Sequence, residues 1–176
     1  VQLQEYVYHA FILSESIHYI EQLGLRCLQI ENIYRNHMTV HVGLEKEKLD
    51  PDSLRKHVDI NGCGSVISFV GYTRPYYQKK LVKRLEFESW ESKLVEVLKE
   101  LADRAIEEFA IISVCMVHRT GIVKPSEPIV CIHVGSAHRE EGFLACSWLI
   151  SELKKQAPIW KKEVREDGEF WKDGLG

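Results

Sequence analysis

Between residues 92 and 109 the sequence carries Leu94, Leu98, Leu101, Ala105 and Phe109 at helical spacing, with Val95, Ala102 and Ile106 widening the stripe. A stripe of that width must be buried against a partner, so the segment reads as an amphipathic helix. Its flanks supply the partner. Residues 65–72 and 82–88 precede it, and 111–117 and 129–134 follow it, all rich in β-branched, aromatic and other apolar residues. Helical stripes alternating with strand pairs predict an α+β fold, with helices packed on one antiparallel or mixed sheet.

Further elements fill in the pattern. Residues 38–42 alternate weakly and read as a first strand. Asp50-Pro51-Asp52 places a capping carboxylate before a proline at the first helical position, with Leu54 and Val58 as the buried side. Residues 76–81 are polar and basic, which predicts a hairpin with a long mobile tip. Phe143, Cys146, Leu149 and Leu153 form a last helical stripe leading into Lys154, and Pro158 ends it by disfavouring helical geometry at Ala157. The domain is expected over 38–176, with 1–37 as an N-terminal extension in which Ser14 caps a helix ending at Gly24. The chain begins at Val1 rather than Met, as a trimmed or partial sequence would.

Composition narrows the chemistry. With 176 residues, 45% of them hydrophobic, one domain with a sizeable core is expected. A net charge of −3 argues against a general nucleic-acid or membrane-surface binder, so any anion site must be local. No apolar run approaches the ~20 residues of a membrane span, and 7–13 is too short, without a basic flank, for a signal peptide. Five cysteines without a Cys-x-x-Cys pair suggest reduced thiols and a cytoplasmic protein. Of the eight histidines only His37 and His41 stand four apart, with no Cys-x-x-Cys pair beside them, and there is no phosphate-cradling glycine loop, so neither metal nor cofactor is expected.

What remains is a set of cations at element boundaries: Arg74 after one strand, His138 and Arg139 after another, and Lys154 and Lys161 on either side of Pro158. Arginine offers a planar fork for phosphate or carboxylate, and a lysine crowded by other cations can act as nucleophile or proton carrier. Each has an ordinary reading too, as a surface ion pair, a turn residue or a cationic helix end. His118-Arg119 repeats the composition of His138-Arg139, but it leads through Thr120 to Gly121 and suits a structural role. Cys63 and Cys146 lack a neighbouring histidine and read as turn and core residues, and Lys155 and Lys162 as surface charges.

Five segments in order resemble the large, catalytic subunit family of molybdopterin synthases: Phe69-Val70-Gly71-Tyr72-Thr73-Arg74, Leu85-Glu86-Phe87-Glu88, His118-Arg119-x-Gly121, Ser136-Ala137-His138-Arg139, and Leu153-Lys154-x-x-Ala157-Pro158-Ile159-Trp160-Lys161-Lys162-Glu163. The resemblance spans roughly 38–173. It implies an α/β-hammerhead type of fold and a sulfurtransferase that converts cyclic pyranopterin monophosphate (precursor Z) to molybdopterin. The sulfur would come from the C-terminal Gly-Gly thiocarboxylate of a small ubiquitin-like subunit, in a heterotetramer built on a central homodimer. By the same resemblance Lys154 is the catalytic lysine and Lys161 a second essential lysine that holds substrate or tail. Arg74, His138 and Arg139 would hold phosphate and pterin, the His-Arg pair reaching across the dimer interface, and Phe69 would line the pocket.

Two departures stand out. Pro75 and Lys79 replace an asparagine and a glycine common in the family, so the loop over the pocket is expected to be stiffer or differently placed. An arginine that some bacterial members carry near the C-terminus has no evident counterpart, and Lys172 is the candidate substitute. The competing readings are a non-catalytic dimeric module that binds a ubiquitin-like tail, which the intact Lys154 and Lys161 argue against, and an unrelated enzyme of phosphate-bearing metabolites.

Overall fold

The computed structural model describes residues 38–172; the helix expected over 14–23 and the last four residues lie outside them. Two sheets form, where one was expected. In the first, β1 (Thr39–Glu45) pairs parallel with β5 (Ser113–Arg119), which pairs antiparallel with β7 (Pro128–Ser136), which pairs antiparallel with β2 (Ser65–Tyr72). The second is antiparallel, in the order β3 (Tyr76–Tyr77), β4 (Lys80–Ser89), β8 (Ile159–Arg165) and β9 (Gly168–Lys172). β6 (Gly121–Val123) pairs the edge of β4 opposite β8.

The second sheet was hidden because β8 carries charge on both faces. Lys161, Glu163 and Arg165 alternate with Trp160, Lys162 and Val164, so no period-two apolar signal emerges. Cross-strand chemistry compensates. Lys162, expected as a surface charge, is half-buried and ion-pairs with Glu86 on β4 at 2.6 Å and Glu169 on β9 at 3.3 Å.

Helices α2 (Glu91–Phe109) and α3 (Arg139–Gln156) pack on each other, α2 against β1 and β5 and α3 against β7 and β2. Val114, Met116, Ile132 and Val134 fill the centre of that face and are fully buried. Val95 turns to solvent while Val97 is buried. Both lie at the margins of the stripe, so the neighbours opposite rather than the helical phase decide between them. Phe143 is likewise exposed, not on the buried stripe of α3. Gly142 takes the sheet-facing place, where a Cβ would press on Ser136 and Ile67, so the helix approaches too closely there for a large side chain.

The other face of the first sheet is covered by a short helix, α1 (Pro51–Arg55), and by Leu49 and Val58 over Cys115, Val117 and Cys131. Asp50 caps α1 as expected, its carboxylate accepting from the backbone N–H of Asp52 and Ser53. The expected hairpin of 65–72 with 82–88 does not form, since β2 pairs with β7 and β4 with β8, and in place of a long tip over 76–81 there is a tight turn. Tyr77 pairs with Lys80, and Gln78 and Lys79 between them take φ of 47° and 66°. That left-handed geometry normally favours glycine, so Lys79 occupies a strained position. Glu166 braces the hairpin: its carboxylate accepts from the Leu81 N–H and its own N–H donates to the Leu81 carbonyl.

Gly64 sets the join between β2 and the turn before α3. Its N–H donates to the Ser136 carbonyl at 3.0 Å, and a Cβ there would run into the Ala137 carbonyl oxygen, a backbone atom that cannot swing aside. Gly64→Ala should therefore lower stability by about 1–3 kcal/mol, seen as a reduced urea midpoint. An unchanged midpoint would show that the turn yields without cost.

Candidate active site

Alanine 157 leaves the helix with φ −66° and ψ 124°, the extended geometry that a following proline imposes. Its N–H still donates to the Leu153 carbonyl, while the Pro158 carbonyl accepts from the Trp90 N–H at the start of α2. The chain reverses within these two residues and enters β8, whose register sets Lys161 opposite Phe87 and Glu163 opposite Leu85. Lys154 on the last turn of α3 and Lys161 on β8 consequently line one cavity.

Arg74 reaches that cavity from the corner after β2. The corner is pinned: the Thr73 N–H donates to the Glu127 carbonyl, and the Thr73 carbonyl accepts from Ser126. Phe69 lines the wall, and the cavity measures about 220 Å³. Three cations thus face one carboxylate, Glu163, among apolar walls from Leu85, Phe87 and Leu153. An enclosure of cationic donors in a chain of net negative charge is suited to a small anion.

Lys161 carries the clearest electrostatic signature. Burial lowers its pKa; Glu163 opposes that, and the charges of Lys154, Lys172 and Arg74 add to it. Burial first, and crowding by other cations second, thus favour the neutral form of this lysine. Lys155, by contrast, is exposed and ion-pairs with Glu152 at 2.7 Å, a surface charge as expected.

His138 and Arg139 are not brought to this cavity within one chain. They stand exposed at the start of α3, where the His138 carbonyl accepts a hydrogen bond from the Ser136 hydroxyl. The residue that sequence reasoning missed is His118. Arg119 beside it has the structural role anticipated for the pair, with an ion pair to Glu127 at 2.7 Å and hydrogen bonds to the Lys46 and Ile122 carbonyls. His118 itself lines the cavity, only 2% exposed, edge-on to Phe87. Its Nδ1 lies 2.7 Å from the Arg119 carbonyl, so Nδ1 carries the hydrogen and Nε2 the lone pair. Its pKa is pushed down to about 4, chiefly by burial, against the hydrogen bond to the Arg119 carbonyl that raises it and with the charge of Lys161 adding to the lowering. A neutral imidazole is thereby an acceptor among donors.

Neither Cys63 nor Cys146 is primed as a nucleophile. Burial raises the Cys63 and Cys146 thiols to about 11, and Cys63 donates to the Asp59 carbonyl. Among the described residues no three His, Cys, Asp or Glu side chains group as a metal site requires, and no helix is long and apolar enough to cross a membrane.

Comparison with known proteins matches this geometry to one family. A family model described as MoaE protein matches residues 44–156. The molybdopterin synthase catalytic subunit of Pyrococcus abyssi is 31% identical over 117 residues, 66% of this chain and 79% of that protein. The human molybdopterin synthase catalytic subunit is 33% identical over 131 residues, 74% of this chain and 70% of that protein. Among solved structures, the molybdopterin synthase from Staphylococcus aureus superposes with a TM-score of 0.70 at 29% identity, over 74% of this chain and 95% of that one.

The neutral His118 makes stability depend on pH. Its folded pKa lies below the ordinary histidine value of 6.5, so the unfolded chain binds the proton more tightly and stability falls as pH drops from 6.5 toward 4. The loss attributable to His118 should reach about 2 kcal/mol at pH 5. His41 and His133, also lowered by burial, act in the same sense. Urea midpoints at pH 7 and 5 should therefore converge in His118→Gln relative to the parent; equal pH dependence in both would remove His118 from the account.

Proposed function

The chain belongs to the MoaE protein family of molybdopterin synthase catalytic subunits, and from that membership we propose how its pocket performs the reaction. The synthase converts cyclic pyranopterin monophosphate to molybdopterin, installing two sulfurs as a dithiolene. The sulfur arrives as the C-terminal thiocarboxylate of a small ubiquitin-like subunit, whose Gly-Gly tail enters the cavity. The observation that carries this reading is the meeting of Arg74, Lys154 and Lys161 in one enclosure from three separate elements.

Both reactants are anions, and bringing two anions together is the electrostatic problem the site must solve. Arg74 at the mouth offers its fork to the cyclic phosphate. Lys154, on the carbonyl end of α3, offsets the helix dipole's negative end, which would otherwise repel both reactants. It is the residue placed to act on the reacting atoms as acid, base or transient nucleophile. Lys161 holds substrate or tail, and its lowered pKa lets it also give up a proton as charge develops when the phosphate ring opens. Phe69 gives the pterin an apolar wall.

His138 and Arg139 take part across a two-fold axis. Exposed at the start of α3, they serve the cavity of a second copy, so that the working unit is a homodimer with one small subunit at each end. Residues 38–176 form the catalytic domain, and the protein works in the cytoplasm.

Mixing the protein with thiocarboxylated small subunit and precursor Z, then measuring molybdopterin as its fluorescent oxidation product, tests the reaction itself. Product from the parent chain is expected; its absence, with the complex formed, would favour a binding module without catalysis. Lys154→Ala should still assemble yet lose activity by at least about a hundredfold, and normal turnover would remove Lys154 from the chemistry. Neither Lys154→Ala nor Arg139→Ala should work alone, but mixed dimers pair an intact lysine site with an intact arginine, so co-assembly should restore about a quarter of parental activity. No recovery would place Arg139 in its own chain's site or outside it.

A further inference from the structure

Lys161 has a cross-strand neighbour that does not itself line the cavity. In the β8–β9 ladder Lys161 stands opposite Lys172 and Glu163 opposite Phe170, and directly paired side chains share one face of a sheet. Like charges set opposite each other normally repel, so something must hold them. The Lys172 Nζ lies 3.9 Å from the centroid of the Tyr77 ring and 3.8 Å from Glu163 Oε1. Arg165 approaches that same oxygen at 3.6 Å, its guanidinium stacked 3.7 Å from the Phe170 ring and 5.1 Å from Tyr77. Among the described residues Glu163 Oε1 has no hydrogen bond, and both cations approach it at ion-pair distance.

We propose that Lys172 is a positioning residue of the site: seated on Tyr77, it shares the Glu163 carboxylate with Arg165 and so limits how far that carboxylate neutralises Lys161. The charged and titratable groups around Lys161 are Glu163 on its own strand, Lys172 from β9, Lys154 from α3, Arg74 from the β2–β3 corner and His118 from β5. Of these only Lys172 lies outside the cavity lining. It is therefore the one whose removal changes the charge balance while leaving the surface offered to substrate intact. Deleting its charge has two effects of the same sign: a repelling cation disappears, and Glu163 is released toward Lys161. Both favour the protonated lysine. The significance for turnover rests on the role of Lys161 proposed above; the charge arrangement does not.

Competitive labelling of the full chain with an amine-reactive reagent across pH, quantified at Lys161 by mass spectrometry, reads the arrangement directly. In Lys172→Met the Lys161 midpoint should rise by about one pH unit, and Lys172→Arg should keep it near the parental value. A merely structural strand-end lysine would leave the midpoint where it was. Should Lys172→Met not fold, Tyr77→Leu removes the seat while keeping the charge, and should raise the midpoint in the same direction by less. A midpoint unmoved in the folded variant overturns the proposal. In the assembled synthase the pH profile of molybdopterin formation should move with the labelling midpoint. Labelling that shifts in a chain forming no molybdopterin would sink the functional reading and spare this one; turnover with immovable labelling would do the reverse.

Discussion

A proline that cannot continue a helix governs where this pocket lies. Ala157 must turn extended before Pro158, and the chain passes from helix to strand in two residues. Had α3 continued, Lys161 would stand about 10 Å further along the same axis from Lys154, out of reach of a shared ligand. The reversal instead folds the next strand back beside β4 and brings the lysine pair to one enclosure. Its hydrogen bond to Trp90 ties the arrangement to the start of α2, so the two long helices and the second sheet meet at the same point.

The pocket's electrostatics follow from contrast with its surroundings. Cations turned elsewhere are met by carboxylates at short range: Arg119 by Glu127, Lys162 by Glu86 and Lys155 by Glu152. Inside the cavity, cations outnumber the carboxylate and Lys161 is pressed toward its neutral form. Arg74 and Lys154 stay exposed, so the desolvation cost falls on the half-buried Lys161, where Glu163 opposes it and a neutral His118 keeps it from growing.

Much of this was legible in the residues, and the failures have physical causes. The helix over 91–109 came directly from periodicity, because it buries one clean face, and the strand over 65–72 from its run of β-forming residues. The Asp50-Pro51 cap was equally plain, since capping is local chemistry. β8 and β9 were not, because their charged faces are satisfied across strands, by Glu86 on β4 and by each other, and look polar in isolation. His118 escaped because a histidine at a strand end looks the same whether its ring faces water or a cavity; only the position of Phe87 and β8 decides. His138 and Arg139 stood out as cations after a strand, the resemblance alone implied a role across a dimer interface, and one chain by itself leaves them apart from the lysines.

The pairing of β4 with β8 joins residue 82 to 165 and residue 89 to 159, so the second sheet is closed by one of the last strands of the chain. During synthesis the first sheet, complete by residue 136, can settle while β4 still waits with one edge unpaired. That bare edge, carrying Val82, Leu85 and Phe87, is a template for a neighbouring nascent chain as much as for β8. The charges on β8 that disguised it as a strand also make it a poor match for other apolar edges. The same residues that assemble the anion pocket therefore help ensure that its final strand finds its place within its own chain.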